Sequence, residues 1–359
     1  MHPLTAARLI QGFCPERGSV LDPFSGSGTV LVEARLLARR AFGIDCNPLG
    51  VELSLLKTHE MPESRRLELV AAAERVAAHA EERRRAKAGP SERYARVDRE
   101  LFAPHVLLEL DGLRSGIDEL DDPVLARTLG LVLSAILSKL SRRGGDTAGV
   151  RIVEKRLAGG FAIRFFVAKT RELATRLAEF ARLLPAGAPS AKVAQGDARE
   201  LELVRPRSID TVVTSPPYPG VYDYFEQHAA RLRWLRLPER GFESTELGAR
   251  RRLQRLSPAA ALEKWEHEFR PCLFELARVL AADGTAILVV GDAVLGGRAL
   301  RAEQHVVRLA ESARLELGAR ASQVRPHFHG PSARVFDRNP RREHALLFRL
   351  AAKERARSR

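Results

Sequence analysis

The stretch that most constrains this chain is Val20-Leu-Asp-Pro-Phe-Ser-Gly-Ser-Gly-Thr29. Its apolar start ends at a carboxylate, two glycines follow, and Val30, Leu31, Ala34, Leu37 and Ala38 then recur at helical spacing. A strand that stops at Asp22, turns through Gly26 and Gly28 and feeds a helix over 29–40 opens a doubly wound α/β sheet. Residues 41–45 form the next strand, and Pro48 starts a helix over 48–58, where its missing N–H is no loss. Without a Cβ, Gly26 and Gly28 let the backbone turn sharply and approach a ligand closely. The free N–H groups that open the following helix favour an electron-rich ligand group. Asp45 closes the second strand about 20 residues on, where an acidic side chain can bind ribose hydroxyls. The third glycine of the nicotinamide fingerprint is absent, and no Gly-Lys-Ser/Thr follows as in a Walker loop.

A second stretch, Thr214-Ser-Pro-Pro-Tyr218, ends a strand over 208–214. Neither proline has an N–H, and their fixed φ presents carbonyls in a rigid row. Taken together, the D-P-F-x-G-S-G-T loop, the G-I-D-x-N-P segment ending at Pro48 and Ser-Pro-Pro-Tyr resemble the S-adenosylmethionine-dependent amino-methyltransferases of nucleic acids, the N4-cytosine and N6-adenine DNA methylases. The resemblance covers about 1–58 and 190–350 and implies a Rossmann-like class I methyltransferase sheet. It implies that Asp22, Phe24, Gly26 and Gly28 surround the methionine part of S-adenosylmethionine, that Asp45 takes the ribose, and that Asp197 lies by the adenine. It further implies that residues 1–8 close over the methionine end.

The chemistry gives the second stretch its sense. The lone pair of an exocyclic amine is delocalised into the base, so transfer from a sulfonium needs it turned in line with the methyl group. Acceptors for the two amine N–H groups favour the more tetrahedral nitrogen of the transition state, and Ser215 Oγ and the Pro216 carbonyl are the candidates. Pro217 stiffens the loop, and Tyr218 offers a flat face to an extruded base. Covalent catalysis is not needed for this transfer, so no covalent intermediate is expected. In the family the first position is Asp or Asn for adenine N6 and more often Ser for cytosine N4, so Ser215 points to cytosine N4, then adenine N6. Here the cofactor loop precedes the catalytic loop, unlike the permuted order of many cytosine-N4 enzymes. Tyr222 and Tyr224 either flank the base or pack as ordinary helix residues, and Asp292 is either structural or pocket-lining.

Between the two halves, residues 59–189 carry no strand-helix repeat and read as a helical insertion, with helices over 62–87, 101–113, 123–140 and about 169–184. An enzyme that acts on a duplex must choose a sequence and flip the target base, and this insertion is the piece large enough to help read it. Lys139, Arg142, Arg143, Arg151 and Arg156 lie among glycines and small polar residues, as a phosphate-contacting loop requires. The net charge of +14 suits a polyanionic partner, although arginines on ordinary solvated helix faces account for part of it. Three isolated cysteines argue against disulfides or a cysteine zinc site and for a reducing cytoplasm. His327 and His329 lack a convincing metal spacing, so no metal is expected. No long uncharged apolar run and no secretory leader are seen. Residues 324–348 read as a terminal strand pair joined by a basic loop, and 351–359 as a basic tail.

The expected partner is double-stranded DNA with one base flipped out; whether a cognate restriction endonuclease goes with it is left open. Two rivals stand beside this reading. One is an RNA methyltransferase of the guanine-N2 type, whose loop more often starts with Asp or Asn. The other is a non-catalytic DNA-binding protein that has kept the fold, against which the intact loops argue.

Overall fold

The computed structural model describes residues 1–142, 156–239, 241–325 and 334–352. In chain order it opens with α1 (Pro3–Phe13), β1 (Ser19–Asp22), α2 (Thr29–Leu36), β2 (Arg40–Asp45) and α3 (Pro48–Thr58). Five helices follow: α4 (Glu63–Arg85), α5 (Arg96–Leu101), α6 (Pro104–Asp118), α7 (Pro123–Leu140) and α8 (Phe161–Leu183). Then come β3 (Lys192–Gln195), β4 (Ile209–Thr214), α9 (Tyr224–Trp234), the short α10 (Phe242–Thr245) and α11 (Arg250–Leu253), and the long α12 (Pro258–Val279). The chain finishes with β5 (Leu280–Gly291), a small hairpin of β6 (Ala293–Leu295) and β7 (Arg298–Leu300), α13 (Ala302–Ser312), β8 (Leu315–Val324) and β9 (Arg342–Leu350).

Two compact units result. The first takes Met1–His59, Leu184–Glu226 and Pro238–Arg359; the second takes Glu60–Leu183 and Gln227–Leu237. The helical unit thus also claims most of α9, which the sequence places in the α/β core.

In the first unit seven strands form one sheet in the order β3-β2-β1-β4-β5-β9-β8. From β3 to β5 the neighbours run parallel, and β9 lies antiparallel to both β5 and β8. This is the expected Rossmann-like class I sheet, with its order reversing between β1 and β4. Strand residues alternate between two faces, and both are covered. Val20, Val213, Ile287 and Leu347 pack with Ile10 of α1 and Leu31 of α2. Leu21, Val212, Leu288 and Leu346 pack on the other side with Phe269 and Leu273 of α12 and Val306 of α13. Parallel strands buried on both faces need such apolar runs, and truncating one of these leucines to alanine would cost about 2–5 kcal/mol.

Local signals explain most boundaries. Asn47 caps α3 by accepting the Leu49 N–H at 3.1 Å, with Pro48 in the first turn. Three boundaries depart from expectation. Helix α2 ends at Leu36 because Ala38 turns left-handed (φ 55°) and the Arg39 N–H reaches the Ala34 carbonyl at 2.8 Å. That is a helix stop built without its usual glycine. The helix expected over 101–113 starts at Pro104 and runs on to Asp118 as α6, because Pro104 forces its predecessor out of helical geometry, while Leu101 ends the separate α5. Helix α8 starts at Phe161, eight residues earlier than expected, since buried Glu109 of α6 receives the Gly160 and Ala162 N–H groups. The terminal pair is β8 and β9, and Val324 ends the first of them.

Among the described residues one helix, α7, is long and apolar enough to cross a membrane. Its Leu129, Leu133, Ile136 and Leu137 are buried in the helical unit.

Candidate active site

The strand order reverses between β1 and β4, and the crevice at such a reversal, beyond the carboxyl ends of the strands, is where doubly wound sheets bind ligands. Asp22 ends β1 and Thr214 ends β4. Although 192 residues separate them, Thr214 Oγ1 donates to Asp22 Oδ1 at 2.6 Å. The two sequence motifs are therefore tied to each other. Asp22 Oδ1 also accepts the Phe24 N–H at 3.1 Å. Burial pushes the Asp22 carboxyl up to about 7, against the pull of the Thr214 and Phe24 hydrogen bonds.

The loop after Asp22 divides its glycines between two tasks. Gly28 has φ 79°, and a Cβ there would lie 2.9 Å from the Ser54 Cα of α3, so it serves close packing. Gly26 has φ 52°, but the nearest atom to an added Cβ is the Phe24 carbonyl oxygen at 3.9 Å, which leaves open space above the loop. The Gly26 N–H donates to Asp45 Oδ2 at 2.6 Å, and the Asn47 N–H to Asp45 Oδ1 at 2.8 Å. Burial raises Asp45 to about 6 despite these two bonds. Two residues that the sequence motifs do not include hold the loop from α3. Ser54 Oγ donates to the Gly26 carbonyl at 3.1 Å, and a Cβ on Gly50 would lie 2.9 Å from that same oxygen. A glycine inside a helix costs about 1 kcal/mol and is the one signal that marked Gly50.

These residues fit a cationic nucleoside such as S-adenosylmethionine. No side chain caps α2 at Gly28, so its first-turn N–H groups are open to a carboxylate. Burial raises both the Asp22 and the Asp45 carboxyls, and Phe24, between them in the sequence, is only partly buried.

At the end of β4, Ser215 is partly exposed and Pro216 is buried, with Pro217 and Tyr218 partly exposed. The Tyr218 hydroxyl donates to Glu343 Oε1 of β9 at 3.0 Å. Arg325 Nε and Gln323 Nε2 each donate to Glu343 Oε2 at 3.1 Å. The Tyr218 ring lies against Gly291 at the end of β5, where an added Cβ would come within 2.7 Å of its edge. Burial and then the Glu343 charge push the Tyr218 phenol upward, while its hydrogen bond with Ser215 pulls the other way. Glu343 and Gly291 were not legible in the sequence.

Tyr222 and Tyr224 lie with ring centroids 5.4 Å apart. The partly exposed Tyr224 has its phenol raised by desolvation first and then by Tyr222, Tyr218 and Asp45, so it stands near both motifs. Its N–H donates to Glu246 Oε1 at 2.6 Å. Between the two tyrosines, Asp223 is held by the Arg251 N–H at 2.8 Å and by Arg250 Nε at 3.3 Å.

Asp197 is bound by Arg199, whose Nε lies 2.9 and 3.0 Å from its two carboxylate oxygens. Arg199 Nη2 reaches the Thr245 carbonyl at 3.4 Å. Asp292 is fully buried and braces the sheet edge, accepting from Arg301 Nη1 at 2.7 Å and from the Arg342 N–H at 3.1 Å. Of the basic residues singled out in the insertion, Lys139 and Arg156 are exposed and Arg142 is partly exposed. Arg143 and Arg151, like His327 and His329, lie outside the described residues. Among the described residues no group of three or more His, Cys, Asp or Glu could hold a metal ion.

Residues 3–55, which contain the cofactor loop and Asp45, match the sequence model of the DNA methylase family of N6 and N4 methyltransferases. No curated protein matches the chain. Among solved structures, the chain is similar to a TehB-like SAM-dependent methyltransferase from Corynebacterium glutamicum, at 12% identity over 96% of this chain and 86% of that one, with a TM-score of 0.35. It is also similar to the rRNA methyltransferase AviRa from Streptomyces viridochromogenes, at 12% identity over 97% of this chain and 85% of that one, with a TM-score of 0.33. A third likeness, to a candidate DNA modification methylase from Thermus thermophilus, has 20% identity over 46% of this chain and 57% of that one, with a TM-score of 0.25. Scores this low carry no inference about substrate.

Proposed function

We propose that this chain, an S-adenosylmethionine-dependent methyltransferase whose cofactor segment is that of the DNA methylases, methylates an exocyclic amino group of a DNA base, cytosine N4 before adenine N6. The observation that carries the reading is the 2.6 Å hydrogen bond from Thr214 to Asp22, which fixes Ser-Pro-Pro-Tyr beside the cofactor loop.

S-adenosylmethionine supplies an electrophilic methyl group on a sulfonium. Asp22 and Asp45 hold the cationic nucleoside, Asp45 through the ribose, and the open face of Gly26 lets it approach the backbone. Ser215 Oγ and the Pro216 carbonyl accept the two N–H groups of the amine and turn its lone pair towards the methyl group. Tyr218, its hydroxyl fixed on Glu343 and its ring on Gly291, gives the base a preset flat surface. Ser215, rather than Asp or Asn, at the head of the loop supports cytosine N4.

The test is methyl transfer from labelled S-adenosylmethionine to unmethylated genomic DNA and, in parallel, to total RNA, with the products digested and identified by mass spectrometry. N4-methylcytosine is expected. N6-methyladenine would overturn the base assignment and keep the reaction, whereas label in RNA alone would overturn the DNA substrate.

A further inference from the structure

The arginines at and just past the end of α9 do not share one situation. Arg233 Nη2 pairs with Asp98 at 2.9 Å, and Arg236 Nη2 with Asp118 at 2.9 Å. Among the described residues Arg231 has no such partner. Its guanidinium reaches the hydroxyl of Ser134 on α7, at 3.1 Å from Nη2 and 3.4 Å from Nε. Among the described residues no carboxylate lies within ion-pair distance of it. Ser134 cannot neutralise it: the hydroxyl is fully buried, and its own proton goes to the Leu131 carbonyl at 2.9 Å.

Burial alone lowers the Arg231 guanidinium to about 10, with no acidic group opposing the shift. A guanidinium drawn out of water without an anion is destabilising, because the Coulombic return that normally offsets its desolvation is missing. Apolar side chains of similar length would fill the same place at lower cost. The residue nevertheless keeps part of its surface exposed, so a ligand in solution can reach it. The planar fork of an arginine matches a phosphate with two parallel N–H bonds, and Ser134 already fixes the fork on one side.

We propose that Arg231, seated on Ser134, is an anion subsite of the helical unit that takes a backbone phosphate of the nucleic acid. The inference rests on the reading of this chain as a nucleic-acid methyltransferase, but not on which base it methylates.

The experiment compares the full chain with Arg231→Met and Arg231→Lys. Fluorescence anisotropy with a labelled mixed-sequence DNA duplex gives the affinity over a range of salt, and thermal melting gives the stability of each protein. Non-specific binding suffices, so no recognition sequence is needed. Losing one phosphate contact should lower the slope of log K against log salt by about 0.9. The expected result is that slope change in Arg231→Met, an unchanged or raised melting temperature, and a slope near wild type in Arg231→Lys. An unchanged slope in Arg231→Met overturns the subsite. A lowered melting temperature with the slope intact makes Arg231 a packing residue and overturns it equally. Absence of binding by the wild-type chain, seen without any variant, would overturn the nucleic-acid reading and the subsite with it.

Discussion

Replacing Asp22 by asparagine should make the apo protein more stable than wild type as pH rises, while spoiling its cofactor site. Burial raises the Asp22 carboxyl from 3.8 to about 7. Between those two values the folded state holds a proton that the unfolded chain has released, so the wild-type protein loses stability as pH climbs through the window. Its contribution is intact below about pH 4 and lost above about pH 7. The two values differ by about three, which at ~1.4 kcal/mol for each amounts to about 4 kcal/mol. An asparagine in this place would keep an acceptor for Thr214 and the Phe24 N–H and carry no charge. Its amide protons need partners, and leaving them without costs about 1–3 kcal/mol, but that penalty does not change with pH. The difference between variant and wild type therefore isolates the carboxyl. Urea denaturation at steps from about pH 4 to about pH 8 should show that difference moving by about 4 kcal/mol in favour of Asp22→Asn. A cationic cofactor should reverse the order: wild-type affinity should rise about tenfold per pH unit up to about pH 7, and the variant's should stay low and flat. Parallel stability profiles for the two proteins would refute the reasoning, since every other titrating group is shared.

Other expectations rest on the same geometry. Ser215→Ala should reduce turnover about 100-fold or more, the scale of losing one positioned hydrogen-bonding group, with S-adenosylmethionine affinity by calorimetry nearly unchanged; Asp45→Ala should do the reverse, and equal loss of affinity in both would break that division. Ala38→Gly should raise stability by about 1 kcal/mol, because the left-handed φ of 55° penalises a Cβ; denaturant titration reads it, and no gain would mean the strain is absent. Gly28→Ala should destabilise by more than Gly26→Ala in the same titration, since only the former brings a Cβ within 2.9 Å of backbone.

What the sequence disclosed and what it hid follow from the range of the interactions. The strand-turn-helix at 20–36 is written locally: an apolar run, a carboxylate, glycines at positive φ, then helical spacing. The cap of α3 by Asn47 with Pro48 is equally local. By contrast, α8 begins where Glu109 meets the Gly160 and Ala162 N–H groups across about 50 residues of chain, and no nearby residue announces it. Glu343 reaches Tyr218 over 125 residues of chain and lies on β9, which the sequence shows only as one strand of a terminal pair. The left-handed stop at Ala38 was hidden for another reason: the usual glycine is missing, and the apolar spacing runs on past the true end of α2.

The same contrast explains why two short stretches, each a modest signal alone, define one site. A doubly wound sheet places the carboxyl end of β1 beside that of β4 whatever the length of chain inserted between them. The insertion of five helices between α3 and β3 therefore leaves Asp22 and Thr214 within hydrogen-bonding distance. Because the contact depends on strand register and not on the intervening loops, Thr214→Val, which removes the hydroxyl and keeps the shape, should raise the Asp22 carboxyl further and weaken the cofactor, with the sheet intact. An unchanged pH dependence of cofactor binding in Thr214→Val would mean that the two motifs are merely neighbours.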